Sequence, residues 1–358
     1  MSAFACQAIW ARVVPRVARQ SVRIDDVAAA AGVSITTVSH ALNNKGRLTD
    51  ETRRRVREVA DRLGYQPSAL ARGLAGGRTG LIAVTVSFVE EMPLAAPDFD
   101  YFMQVMNATS VAALEHELSL TVLPAGSRRQ MLGKLPIEGA IVVDPVPGDE
   151  IVEELTRRGV PVVTTGRQPG GPERSFWVDN DHIAGTRTMI DHLAEKGASR
   201  VALLTAPPMN SYSIDTLAAF EERCSQLGIE AIVETITDSV SEGSAYAAAS
   251  RLLDSPRPPD AIYGALDRLA LGALLAAEGR GVSVPDDLLI AGCTDSDASQ
   301  AARPALTVLS LNPDRIGAEA LDLLIELIET GAPENPRRIV PFRVIERGST
   351  QRAALNRA

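Results

Sequence analysis

From Leu81 onward, short apolar runs alternate with longer amphipathic stretches, and this alternation restricts the chain to few folds. The apolar runs predict strands at Leu81–Ser87, Gly139–Asp144, Val160–Thr165, Val201–Thr205, Ala261–Ala265 and Leu288–Gly292. Helical spacing predicts helices at Phe102–Glu117, Ile183–Lys196, Thr216–Leu227, Glu242–Asp254, Asp267–Gly279 and Pro313–Glu329. Strands that alternate with helices form parallel sheets covered on both faces. About 270 residues of this pattern exceed one such sheet in most proteins, so we predict two α/β subdomains.

The segment before this alternation, residues 22–66, predicts three short helices. Gly32 ends the first helix, Ser34 can cap the second, and Thr49 precedes the acids that begin the third. Apolar positions at helical spacing turn inward at Val27, Ala28, Ala31, Val33, Val38 and Leu42. A helix, a turn with glycine and a second helix that offers its N-terminal side chains is the arrangement of a helix-turn-helix DNA-binding unit.

The outward side chains of the second helix suit contacts with base edges in a major groove. They are Ile35, Thr36, Thr37, Ser39 and His40. Ile35 and the threonine methyl groups can contact thymine methyls, and Thr36 and His40 can form hydrogen bonds with base edges. An ordinary solvated helix face is the alternative interpretation, and an outward-facing Ile35 argues mildly against it.

Charge is unevenly distributed along the chain. Residues 1–78 contain thirteen Lys and Arg and six Asp and Glu, a net charge of +7, whereas the whole chain has −9. The remaining residues therefore have a net charge of −16. A basic head attracts DNA phosphates and an acidic body is repelled by them, so this distribution favours a DNA-binding head.

A long ordered pattern in the head resembles that of the LacI/GalR family. Residues 23–43 follow the family form D-V-A-x-x-A-G-V-S-x-x-T-V-S-x-x-L-N, except that Arg23 stands where many members have a capping threonine. The run Ser34 to Asn43 is most similar to the purine-repressor branch of that family. Three later runs resemble the motifs that follow in the family, the last being its hinge helix: Thr52-Arg53, Leu63 to Pro67 and Ser68 to Leu74.

The resemblance implies roles for individual residues of the head. Base reading in each half-site is implied for Ile35, Thr36 and His40. Phosphate contacts, which position the head without specifying sequence, are implied for Ser34, Thr37, Ser39 and Asn43. The minor-groove hinge is implied at Ala71, Arg72 and Leu74. There Leu74 would wedge into the operator centre at a flexible pyrimidine–purine step, in a hinge helix that forms only on DNA.

The elements and the resemblance together predict an all-α helix-turn-helix head with a hinge helix, followed by an α/β periplasmic-binding-protein-like core of two Rossmann-like subdomains. We predict an N-terminal extension at 1–21, which is disordered, a misplaced start or a basic arm. The DNA-binding domain follows at 22–66, the hinge helix with its linker at 67–79, the core at 80–349 and a tail at 350–358. Subdomain 1 is predicted at about 80–196 and 311–337, and subdomain 2 at about 197–310 and 338–349.

The core motifs also resemble the sensor of that family, at Val178 to Gly185, His192-Leu193, Leu266 to Gly272, Val284 to Asp287 and Leu306 to Gly317. The family holds a polar effector between the subdomains with an Arg, an Asn, an Asp and an aromatic platform. These positions are occupied here by Ile214, Leu266, Thr294 and Val240, respectively. With the remaining polar candidates, the predicted effector pocket consists of Asp181, Tyr212, Ile214, Asp215, Val240, Leu266, Thr294 and Asp295.

Four such departures predict a pocket that is atypically apolar for the family, because few fixed polar groups remain to satisfy a polar ligand. Three alternatives stay open for the effector: a small molecule less polar than a free sugar, an atypically bound sugar or sugar phosphate, or no effector at all. The residues favour the first. An inducer would favour the loose form of the hinge and a corepressor the tight form. Repression is the family default.

Other functional classes fit the sequence less well. An enzyme would need a phosphate-binding glycine motif or a catalytic set, and none is evident. An exported binding protein would need a signal and would not use the head, and a purely architectural DNA binder would not need the core. We expect no metal or cofactor, three free cysteines, no membrane span and a cytoplasmic location. The tail lacks leucine heptads, which favours a homodimer over a tetramer on double-stranded operator DNA.

Overall fold

The computed structural model describes residues 22–42, 44–65, 78–87, 100–123, 135–237 and 240–352. The chain divides into two compact units, Met1–Arg78 and Thr79–Ala358, which contain the predicted head and the predicted core. Several predicted features lie outside the described residues: the extension 1–21, Asn43, the hinge residues Ala71, Arg72 and Leu74, and most of the tail.

The head consists of helices α1 (Ile24–Ala31), α2 (Ile35–Leu42) and α3 (Asp50–Leu63). Gly32 is left-handed with φ +64°, and the hydroxyl of Ser34 accepts a hydrogen bond from the backbone N–H of Thr37 at 3.1 Å. Arg23 makes no side-chain cap; Asp26 instead accepts from the backbone N–H of Arg23 at 2.7 Å. The three helices enclose a small core of Val27, Ala28, Ala31, Val38, Ala41, Val56, Val59 and Ala60.

The core alternates strands and helices, as predicted. Its strands are β1 (Leu81–Val86), β2 (Ser119–Val122), β3 (Gly139–Val143), β4 (Val162–Thr165), β5 (Trp177–Asn180), β6 (Arg200–Thr205), β7 (Glu230–Thr235), β8 (Ala261–Gly264), β9 (Leu289–Cys293), β10 (Thr307–Ser310), β11 (Arg337–Val340) and β12 (Arg343–Ile345). Its helices are α4 (Asp100–Glu115), α5 (Glu150–Arg157), α6 (His182–Glu195), α7 (Ser211–Leu227), α8 (Glu242–Leu253), α9 (Asp267–Glu278), α10 (Asp297–Ala301) and α11 (Pro313–Thr330), and a 3₁₀ turn follows at Gly348–Thr350.

Within the described part of the core, the strands form two six-stranded sheets, with the orders β11-β5-β4-β3-β1-β2 and β12-β10-β9-β8-β6-β7. Every pairing is parallel except that of β12 with β10. The chain crosses from the first sheet to the second after β5, returns after β10 and crosses again after β11. Because parallel strands end at the same edge, each sheet gathers the loops after its strands on one side.

One close helix contact shows how the first subdomain packs. Helices α4 and α11 approach each other at Gly317, where a Cβ atom would lie 2.3 Å from the carbonyl oxygen of Val105. The buried hydroxyl of Thr109 donates to the carbonyls of Val105 and Gly317 at 2.8 and 3.2 Å. Only glycine permits this approach, which brings the apolar side of α11 onto the first sheet.

The predicted subdomain boundaries need two corrections. Helix α6 was predicted in subdomain 1, but Met189, Ile190 and Leu193 are buried in the core cluster of the second sheet. The last boundary was predicted between residues 337 and 338, within strand β11, but the whole strand pairs with β5 in the first sheet. Packing decides both boundaries: the apolar face of α6 fits the second core, and β11 extends the free edge beside β5.

Candidate functional site

The N-terminal end of helix α2 exposes both apolar and hydroxyl-bearing side chains. Val38 and Ala41 are buried against the other helices, while Ile35 is 50% exposed and Thr36 is exposed beside it. Thr37, Ser39 and His40 are half-buried, and Ser34 is exposed where it caps the helix. The predicted base-reading residues Ile35, Thr36 and His40 thus all lie on one short helix with solvent access.

The helix that follows α2 supplies positive charge. Helix α3 carries five arginines, and one of them, Arg54, lies 3.8 Å from Glu58 in an exposed pair. An exposed pair of this kind contributes little to stability. The five arginines of α3 outnumber its four acids, in keeping with the net charge of +7 over residues 1–78. A capped helix with an outward apolar and hydroxyl surface, beside a basic helix, is suited to a DNA groove and its phosphates.

In the core, the carboxyl ends of the two sheets meet through a network centred on Asp179. Its carboxylate accepts hydrogen bonds from His182 Nε2 at 2.7 Å, from the backbone N–H groups of Arg167 and Asn180 at 2.9 and 2.8 Å, and from Ser211 Oγ at 3.2 Å. Arg167 follows β4, whereas Ser211 begins α7 of the second subdomain. The network therefore joins the two subdomains at their strand ends.

The Asp179–His182 pair is buried, and its protonation follows from the contacts. Burial disfavours the charged form of each group, but their mutual hydrogen bond lowers the pKa of Asp179 and raises the pKa of His182. His182 is 5% exposed, and its Nδ1 atom has no hydrogen-bond partner among the described residues. A buried imidazole nitrogen without a partner calls for a functional explanation, and contact with a ligand at this site is one.

Asp144 contributes a second polar group, its carboxylate, to this site. It follows β3, and a Cβ atom on Gly166 would lie 3.4 Å from its Oδ1 and 3.5 Å from Ser211 Oγ, so these groups converge. Burial, and then the charge of Asp179, raise the pKa of Asp144 to about 7, while His182 opposes the shift.

Two tyrosines border these groups. Tyr101 on α4 packs against the hydrophobic cores of both subdomains, and burial together with Asp144 and Asp179 raises its pKa well above the usual value. Tyr212 meets the ring of His182 edge-on, with centroids 5.1 Å apart, and donates its hydroxyl hydrogen to the carbonyl of Ala265. Aromatic surface and unpaired polar atoms therefore occur together at the strand ends.

The residues predicted for the pocket have different surroundings. Tyr212 and Ile214 lie on the first turn of α7, and Asp215, the next residue, is paired with Arg167 at 2.6 Å. Thr294 is buried directly after β9 in a left-handed conformation, with φ +77°.

The other four predicted pocket residues make structural contacts. Asp181 is exposed and caps α6 by accepting from the backbone N–H of Ala184, and Asp295 is paired with Arg347 at 2.7 Å. Val240 and Leu266 are partly buried against the core of the second subdomain.

Sequence reasoning did not identify six of the residues that converge at the strand ends: Tyr101, Asp144, Arg167, Asp179, His182 and Ser211. A usable signal was present for Asp144 and Arg167. Each follows the last apolar residue of a predicted strand, where the loops of a parallel sheet gather. Tyr101 and His182 gave no such signal, because each lies at the start of a helix.

Two absences concern the described residues alone. None of their helices is long and apolar enough to cross a membrane. No three or more of their His, Cys, Asp and Glu side chains are grouped so as to hold a metal ion.

Comparison with known proteins gives a consistent family assignment. Residues 23–68 match the model for bacterial regulatory proteins of the lacI family, and residues 190–350 match a periplasmic binding protein-like domain. The chain is 30% identical over 331 residues to the HTH-type transcriptional regulator CelR of Thermobifida fusca, covering 90% of this chain and 96% of CelR. It is 30% identical over 342 residues to catabolite control protein A of Staphylococcus xylosus, covering 92% of this chain and all of that protein.

A solved structure extends the likeness to three dimensions. The Lac repressor dimer bound to operator and the anti-inducer ONPF superposes with a TM-score of 0.79 at 26% identity, covering 92% of this chain and 99% of the repressor chain. The likeness confirms the predicted order of a helix-turn-helix head and a two-subdomain core. These relatives are transcriptional regulators and not enzymes, and the similarity to the purine-repressor branch stays a prediction.

Proposed function

The chain belongs to the LacI family of DNA-binding, effector-controlled transcriptional regulators, and from this premise we propose that it is a repressor that binds a pseudo-palindromic operator as a homodimer. A small molecule held between the core subdomains controls that binding. Because its target is genomic DNA, we place the protein in the cytoplasm. The observation that carries the proposal is the outward N-terminal surface of α2 in a basic head.

Recognition of the operator is assigned to α2. Ile35 is half exposed and is not part of the described core of the head, which suits contact with a thymine methyl group. Thr36 and His40 supply hydrogen-bonding groups for base edges. Ser34, Thr37, Ser39 and Asn43 are proposed to contact phosphates, in keeping with their hydroxyl and amide groups.

The homodimer is supported by an apolar face on α4. Met103, Val111 and Leu114 are 51%, 55% and 76% exposed, at spacings that place them on one side of the helix. An exposed apolar surface of this kind marks an interaction site, and a twofold dimer would pair the face with itself. The Lac repressor structure in the comparison is itself a dimer on its operator.

The hinge connects the two parts in this proposal. Ala71, Arg72 and Leu74 belong to a run that resembles the family's hinge helix, and Leu74 is the wedge at the operator centre. A kinked central step lets both heads of a dimer reach their half-sites. A change in the angle between the subdomains would order or disorder this hinge and so change operator affinity.

The effector is proposed to bind where the strand ends of the two subdomains meet. Its polar anchors are the Asp144 carboxylate, whose pKa is raised by burial, and His182 Nδ1, which has no hydrogen-bond partner among the described residues. Ile214 and Thr294, which replace polar positions of the family, give the second-subdomain side a weakly polar character. Few anchors beside apolar surface favour an effector less polar than a free sugar.

Matched ligand pairs test this effector class. Thermal shift and calorimetry would compare simple pentoses and hexoses with their alkyl and aryl glycosides on the full-length protein. The less polar member of a pair should give the larger shift, and Asp144→Asn should remove it. Tight binding of a free pentose or hexose would contradict the proposed class.

Selection of binding sites from a random duplex pool tests the regulator itself. Full-length protein at near-physiological salt should enrich a pseudo-palindrome with a flexible central step. The selection is repeated with cell extract, which supplies any corepressor. If neither selection enriches a motif, the proposed sequence-specific repressor is wrong.

A further inference from the structure

The loop between α2 and α3 returns the chain from the helix proposed to read DNA. Asn44 and Gly46 in this loop are both left-handed, with φ +53° and +69°. Arg57 on α3 donates a hydrogen bond to the side-chain oxygen of Asn44. Residues 44–46 therefore form a defined turn tied to α3, although these residues are exposed.

Arg53 makes the larger set of contacts with this loop. Its guanidinium donates from Nη2 to the carbonyls of Gly46 and Lys45 at 2.8 and 3.3 Å, and from Nη1 to the carbonyl of His40 at 3.3 Å. The His40 carbonyl belongs to the last turn of α2, where a positive group is favourable. One planar side chain thus joins the C-terminal end of α2 to the loop.

The same loop contacts the side-chain ring of His40. A Cβ atom on Gly46 would lie 2.6 Å from Nδ1 of His40 and 3.2 Å from its Cγ. The imidazole therefore rests directly on the backbone of Gly46, and any larger residue there would displace the ring. The position of Gly46 determines the direction in which His40 can approach a base.

We propose that Arg53 is a positioning residue for operator recognition: it fixes the loop that carries the His40 ring and so sets the base preference at the base pair that His40 reads. This inference rests on the proposed function of α2. The alternative role is a phosphate contact, which arginines on DNA-binding helices commonly make. The two roles differ in what they affect, since a phosphate contact adds to affinity for every sequence and to its salt dependence.

The test uses full-length protein and the operator selected by the wild type. Affinities for all single-base variants of one half-site are measured at three salt concentrations for the wild type, Arg53→Lys, Arg54→Lys and His40→Ala. His40→Ala identifies the base pair that His40 reads. Arg53→Lys keeps the charge and loses the planar fork, so the preference at that base pair should fall about fivefold or more with an unchanged salt slope.

Arg54→Lys is the matched control, because Arg54 is the next residue on α3 and is exposed beside Glu58. It should keep the base preferences of the wild type. Gly46→Ala is a second route to the same outcome, since its methyl group displaces the His40 ring while Arg53 remains. It also strains the left-handed backbone at φ +69°, so its thermal unfolding is measured as well. It keeps the test decisive if Arg53→Lys weakens the fold of the head, which thermal unfolding would reveal.

The double variant His40→Ala/Arg53→Lys separates positioning from a general structural role. If Arg53 acts through His40, the double variant should lose no more preference at that base pair than His40→Ala alone. A salt slope lower by about one with intact base preferences would make Arg53 a phosphate contact and overturn the inference. Additive losses spread over all base pairs would also overturn it. Failure of the wild type to select any motif would instead contradict the proposed function.

Discussion

Nη2 of Arg167 lies 2.6 Å from Oδ2 of Asp215, and this ion pair joins the two subdomains of the core. Arg167 follows β4 of the first sheet, and Asp215 lies near the N-terminal end of α7 in the second subdomain. It stands next to the Asp179–Ser211 hydrogen bond, so the two contacts together connect the strand ends. A regulator that responds through its subdomain angle depends on contacts of this kind.

Removing this bridge should change the shape of the core more than its stability. Because Arg167 is 45% exposed, Arg167→Ala should lower the free energy of unfolding by no more than about 1 kcal/mol, less at high salt. Small-angle scattering of the variant should show a larger radius of gyration. Arg187→Ala is the control, since its partner Glu222 lies in the same subdomain. An equal change in both variants would refute an inter-subdomain role.

Asp144 should reduce stability at high pH. Its pKa of about 7 means that the folded protein binds more protons than the unfolded chain between the usual carboxyl pKa and pH 7. Stability from this group therefore falls as pH rises through that range, and the full penalty is present above pH 7. Asp144→Asn should raise the free energy of unfolding at pH 8 by on the order of 1 to 3 kcal/mol.

Denaturant unfolding at pH 5 and pH 8 measures this effect, and the gain should shrink at pH 5. The same variant should lose its effector response, because the substitution that stabilises the fold also removes the carboxylate proposed to bind the effector. Asp181→Asn is the control, since asparagine is also a good helix cap and Asp181 is exposed. A pH-independent stability difference would argue against a raised carboxyl pKa.

The dimer should depend on the exposed face of α4. Leu114→Glu places a charge in the proposed apolar interface, and size-exclusion with light scattering should detect a monomer with weaker operator binding. Leu227→Glu, at another exposed apolar position, should leave the dimer intact. A dimeric Leu114→Glu protein would show that subunits associate through a different surface, and a wild-type tetramer would contradict the homodimer.

Base reading by α2 should be local to one or two base pairs. Thr36→Ala should cost about 1–3 kcal/mol in operator binding and relax specificity where its hydroxyl meets a base. Competition binding against single-base operator variants measures the change. Equal loss of affinity on all sequences would mark Thr36 as a phosphate contact instead.

Local features of this protein were predictable because neighbouring residues determine them. The cap at Ser34, the glycine stop at Gly32 and the apolar spacing of α1 to α3 each depend on a few consecutive residues. The family pattern of the head is equally local. The alternation of strands and helices was predicted from apolar periodicity, which is also local. That periodicity did not predict several short elements with exposed sides, including β2, β7 and α5.

The sequence by itself thus determined the order of domains, the helix-turn-helix head and the class of fold, because periodicity and capping are short-range. Tertiary structure alone decided that α6 packs in the second subdomain and that Tyr101, Asp144, Asp179 and Ser211 converge. These residues are far apart in the chain, and strand order and three crossings between the sheets bring them together. Such contacts follow from which faces fit each other in a packed core, and no local pattern encodes that choice.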